Sequence, residues 1–133
     1  MKLAAFAVVA VGFAVTVAPA LAHHSFAMFD PDKLITKAGT VKEFQWTNPH
    51  VWLLVTAPDD SGKQVEWSFE MQAIAQAMSG GWNKDIVKPG DKIAVDFHPL
   101  KDGSRGGELV SAVLSNGKRL GAQAARLPVP KAP

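Results

Sequence analysis

His23 and His24 stand side by side just past an apolar N-terminal run, and His50 and His98 complete the chain's four histidines. A histidine at a free N-terminus carries two nitrogen donors, its amine and its ring. The amine has a reference pKa of about 7.7–8.0, so part of it is unprotonated near neutrality. The amide and ring of His24 offer a second mode of chelation. A further nitrogen has to come from His50 or His98, which lie outside the N-terminal segment. No cysteine is present. An all-nitrogen set without thiolate suits copper(II), with zinc or nickel next, and copper stands highest among these ions in intrinsic affinity. The expected metal ligands are therefore His23, His24, His98 and His50.

That chemistry needs a cut that frees His23. Lys2 gives a short positive start, Leu3 to Val17 is almost wholly apolar, and Pro19 precedes Ala20-Leu21-Ala22. This is the pattern of a secretory signal peptide cleaved after Ala22. The apolar run of about 15 residues falls short of the roughly 20 that a spanning helix needs. Cleavage after Ala20 is the alternative. It leaves a histidine in third position, where amine, two amides and imidazole wrap copper(II) or nickel(II). The expectation is a periplasmic protein with no stable membrane insertion after cleavage.

Other residues suggest a different use. Glu66 and Glu70 lie on one face of a strand, about 13 Å apart at about 3.3 Å per residue. That is too far to share a proton, but either could orient an imidazole. Trp46 and Trp52, if exposed together, would form a stacking platform for a sugar or peptide. With Glu66 and Glu70 they define the surface of the alternative function, a metal-free binding module for a peptide, a glycan or a periplasmic partner protein. A formal net charge of +2 with scattered lysines argues against nucleic acid. No serine sits in a nucleophile-elbow context and no glycine-rich loop precedes a helix. An enzyme would have to work through the metal, so the balance is against one.

The elements that must position these residues are mostly strands. Gly39 to Trp46 and Val51 to Thr56 are β-rich, separated by the turn-forming Thr47-Asn48-Pro49-His50. Asp59-Asp60-Ser61-Gly62 marks a hairpin turn. Val65 to Glu70 alternates, with Val65, Trp67 and Phe69 toward a core and Glu66, Ser68 and Glu70 toward water or a partner. Met71 to Met78 reads as a short helix whose Ile74, Ala77 and Met78 form one apolar stripe, stopped by Gly80-Gly81. Lys92 to His98 and Glu108 to Leu114 are further strands, and Asn116-Gly117 turns into a last short segment. Three strands, a helix and two strands predict an all-β fold, a small five-stranded OB-like Greek-key barrel with its helix between the third and fourth strands. An open β-sandwich is the alternative.

The stretches HHSFAMFD, GTVKEFQWTNPHVW, EWSFEM, KPGDKI and HPLKDGSRGGEL resemble a family of small exported bacterial proteins built on a domain of unknown function. The resemblance runs from about His23 to Leu120. It implies a secreted, barrel-like domain and carries no established activity. The domain plan is then a signal peptide at 1–22, a single barrel at 23–121 and a disordered tail at 122–133. The tail follows from its Ala, Pro and basic composition.

Overall fold

The computed structural model describes residues 26–123. The expected signal peptide, His23, His24 and residues 124–133 lie outside that range. Six strands run β1 (Ile35–Gln45), β2 (Trp52–Pro58), β3 (Gln64–Glu70), β4 (Lys92–Pro99), β5 (Gly106–Leu114) and β6 (Arg119–Gly121). One helix, α1 (Ile74–Ser79), lies between β3 and β4. The sheet order is β3-β2-β1-β4-β5-β6, and β3 also pairs with β5. That pairing is parallel, joining Ser68–Glu70 to Gly106–Glu108. It links the ends of a five-stranded sheet, so β1 to β5 close into a barrel and β6 extends β5. The architecture is the predicted OB-like barrel, and closure protects strand edges that an open sheet would expose.

β1 serves both halves of the barrel. Its residues Ile35 to Thr40 pair with β4, and Thr40 to Gln45 pair with β2. A register shift between Val41 and Glu43 bends it between the two. The closing contact depends on a bare backbone, because a Cβ on Gly106 would stand 2.0 Å from the Ser68 carbonyl oxygen.

Alternation fills the interior as the sequence predicts. Leu53, Val55, Phe69, Val95, Phe97 and Leu109 are fully buried, and the rings of Phe69 and Phe97 meet at 4.8 Å between centroids. Trp82 plugs one end, its Nε1 donating to the Gly121 carbonyl at 2.9 Å. Each such residue withdraws enough apolar surface to stabilise the fold by about 1.5–3 kcal/mol before entropy is counted.

Four local expectations change. The helix begins at Ile74, because Met71 and Gln72 still make extended backbone bonds with Val51. Within α1, Ala77 is buried but Met78 is exposed, so the stripe is narrower than expected. Glu70, expected to meet water, is only 6% exposed. Ala122, expected to open the tail, is buried and its amide donates to Val110 at 2.9 Å.

Asp96 ties the outer face together. It accepts from Thr36 Oγ1 at 2.6 Å, Ser111 Oγ at 2.8 Å and Arg119 Nη1 at 3.2 Å, linking β1, β4, β5 and β6. Partial burial pushes its pKa up, but the bonds from Thr36, Ser111 and Arg119 outweigh burial and hold it below the ordinary carboxylate value. A carboxylate depressed in the folded state stabilises above its unfolded pKa and loses that contribution as pH falls through the folded value. Asp96→Asn is therefore expected to lower stability at pH 7 by about 1 kcal/mol, after discounting for solvent screening. Urea midpoints of the two proteins should converge at pH values well below the ordinary carboxylate range. A loss that persists unchanged into acid would contradict the assignment.

Candidate functional site

The turn Thr47-Asn48-Pro49-His50 joins β1 to β2 and stitches two loops together. Thr47 Oγ1 donates to the His50 carbonyl at 3.0 Å. Asn48 Oδ1 accepts the Ile74 amide at 3.0 Å, so it serves the first turn of α1 from the neighbouring loop. His50 Nδ1 lies 2.9 Å from the Met71 carbonyl oxygen and 3.2 Å from Glu70 Oε1. A carbonyl oxygen can only accept, so Nδ1 carries the proton and the neutral ring's lone pair sits on Nε2.

His98 arrives at the same tautomer independently. It lies near the end of β4 on the outer face, since Val95 and Phe97 point inward. Its Nδ1 is 2.7 Å from the Lys33 carbonyl oxygen, which again places the proton on Nδ1. A ring that donates one N–H to a main-chain carbonyl is held in one orientation, an arrangement common among metal-binding histidines.

Strand register places the acidic groups between these rings. His98 pairs with Glu108, Glu108 with Glu70, and Glu70 with Trp52. These residues form one row across β4, β5, β3 and β2. Paired residues on neighbouring strands share a face, with Cβ atoms about 4.5–5.5 Å apart in antiparallel pairs. Glu70 is 6% and Glu108 7% exposed. Two carboxylates are thus buried on adjacent strands, one beside His50 and the other opposite His98.

The N-terminal segment crosses this end of the barrel. Phe26–Met28 form a single 3-10 turn. Phe29 is buried and bridges Leu100. The Asp30 amide donates to Pro99 at 2.9 Å, and the Lys101 amide to Met28 at 3.0 Å. A cavity of about 230 Å³ lies under this strap, walled by Met28, Phe29, Trp52, Leu100 and Glu70 among others. Phe29 docks on the barrel, while Phe26 and Met28 are half exposed. His24 precedes Phe26 by two residues, and two residues of chain reach at most about 7 Å.

The remaining sequence candidates spread over the surface. Trp46 packs with Phe44, at 5.7 Å between ring centroids, against the core. Trp52 alternates with the buried Leu53 and lies on the outer face. Glu66 is exposed and pairs with Lys42. Among the described residues, no three His, Asp or Glu side chains converge closely enough to hold an ion. Glu108 escaped sequence reasoning because its neighbour Glu70 comes from a distant strand. The available signal was a single acidic residue directly after Gly106-Gly107, where two strands approach closely.

These features define a small OB-like barrel with a histidine–carboxylate row at the end where its N-terminal strap docks. The chain belongs to the family of unknown function DUF6152, whose family model matches residues 10–110. No curated protein and no solved structure matches it significantly.

His50 also has a structural role that can be measured. His50→Ala removes the donor to Met71 from a mostly buried position and should cost about 1–3 kcal/mol. His98→Ala, at a more exposed bond, should cost less than about 1 kcal/mol. Thermal unfolding of both variants checks the order, and an equal or reversed cost would contradict it.

Proposed function

We propose that the protein is exported to the periplasm and binds a metal ion, copper first and zinc or nickel next, at the strap end of the barrel. His23 and His24 of the processed terminus supply the amine and ring nitrogens, and His50 or His98 supplies a further ring nitrogen. The observation that carries this reading is the shared tautomer of the two described histidines. Each ring gives its Nδ1 proton to a main-chain carbonyl, so a lone pair of the neutral ring is on Nε2. Two carboxylates buried in the same row supply negative charge toward a cation.

The barrel alone does not complete such a site, because the described side chains do not converge in threes. Terminal donors are therefore essential to the proposal. The strap brings the chain within a few residues of His98 through the bond from Asp30 to Pro99, which supports a terminus acting at this end. The fold offers less to the metal-free alternative, since Trp46 packs toward the core and Trp52 stands on the outer face.

Protein produced with His23 as its first residue should bind copper(II) with one-to-one stoichiometry. An added N-terminal methionine should weaken binding by about tenfold or more, because it displaces the terminal chelate. His98→Ala and His50→Ala should each weaken it by about 10–100-fold if that ring is a ligand. Titration against a competing chelator, with total metal determined on the same sample, reads all three. Affinity indifferent to the added methionine would overturn the terminal site.

A further inference from the structure

Apolar side chains at the strap end enclose a space that they do not fill. We propose that the cavity under the strap binds a small aromatic carboxylic acid, with its ring among Trp52, Phe29 and Met28 and its carboxylate at Arg105. This binding is independent of any metal ion.

Size and lining are the first argument. The cavity holds about 230 Å³, half as large again as the roughly 150 Å³ apolar cavity that takes up benzene in another protein. A single ring with a short side arm suits that volume. Trp52 at the start of β2, Phe29 and Met28 in the strap and Leu100 after β4 all line it. Aromatic side chains attract a further ring in offset or edge-to-face contact, and thioether sulfur makes favourable contacts with ring edges. The strap that supplies two of these walls is pinned by main-chain bonds from Asp30 to Pro99 and from Lys101 to Met28. The cavity is thus formed before any ligand arrives, as binding pockets usually are. Met28 is 44% exposed, so the cavity borders solvent on that side.

Charge is the second argument, and it is separate from the first. Arg105 also lines the cavity. Its main-chain carbonyl accepts from the Ser68 amide at 3.2 Å, so barrel closure fixes its backbone. Its guanidinium forms no hydrogen bond or ion pair among the described residues, and its charge reaches Asp59 without such a contact. A guanidinium presents a planar fork of donors that matches a carboxylate. Glu70 is the acidic residue on the cavity wall. It lies two residues along β3 from Ser68, about 7 Å at about 3.3 Å per residue, and stands beside His50. An anionic group on the ligand is therefore turned away from Glu70 and toward Arg105, which gives the ligand one orientation.

The test titrates phenylacetate into the metal-free protein and follows indole and main-chain signals in proton–nitrogen NMR spectra. Saturable binding with a dissociation constant of about 1 mM or tighter is expected, with the Trp52 indole signal among those that move. Phenethylamine, a similar ring with a cationic head, should bind at least about tenfold more weakly. Arg105→Gln removes charge from a side chain with no partner among the described residues, so the fold is kept. It should weaken phenylacetate by about tenfold and leave the neutral phenethyl alcohol within about twofold. Trp52→Leu, checked for folding by circular dichroism, should weaken acid and alcohol alike. Signal changes that do not saturate by about 10 mM overturn the inference. So does an amine that binds as tightly as the acid, or an acid indifferent to Arg105→Gln or to Trp52→Leu.

Discussion

The short parallel contact between β3 and β5 is the constraint on which the rest depends. Ser68, Phe69 and Glu70 meet Gly106, Gly107 and Glu108, and no other strand pairing in the described chain is parallel. It closes the barrel, so the inner faces of five strands share one core. It also brings Glu70 beside Glu108 on the outer face. Closure and the acidic pair are thus one event seen from two sides of the sheet. The glycine at position 106 is the local requirement, since any side chain there would collide with the Ser68 backbone.

Burying two carboxylates on adjacent strands works against stability. Moving an ion out of water costs several kcal/mol in a real protein unless charge or hydrogen bonds offset it. At the level of Asp96, the carboxylate is met by two hydroxyls and a guanidinium. In the row of Glu70 and Glu108, the ring of His50 stands beside Glu70, and Met28 and Phe29 of the strap wall a cavity that Glu70 also lines.

Much of the fold is legible in the sequence because it rests on short-range pattern. Val65, Trp67 and Phe69 alternate with polar residues, as do Ile93, Val95 and Phe97, and that period of two is enough to orient a strand. The turns at Asp59–Gly62 and Asn116-Gly117 follow from residue chemistry alone. Helix length was less legible: Met71 is apolar and helix-compatible, yet a backbone bond with Val51 keeps it extended. The acidic row was not legible at all. Glu70 reads as a surface residue when compared with Glu66 on its own strand. Its burial comes from a strand about 38 residues further along the chain and from the strap. The histidine positions are visible in sequence, but their tautomers are set by the carbonyls of Lys33 and Met71, which no local pattern marks.

The central claim is that the fold holds the rings of His50 and His98 with a proton on Nδ1, donated to a main-chain carbonyl. Long-range proton–nitrogen correlation spectra of the metal-free protein measure this directly, near pH 7.5 where imidazoles are mostly neutral. Both rings should show a protonated Nδ1 and an unprotonated Nε2, and added zinc(II) should shift Nε2 of at least one of them. Rings found with the proton on Nε2, or averaging freely between tautomers, would contradict the account.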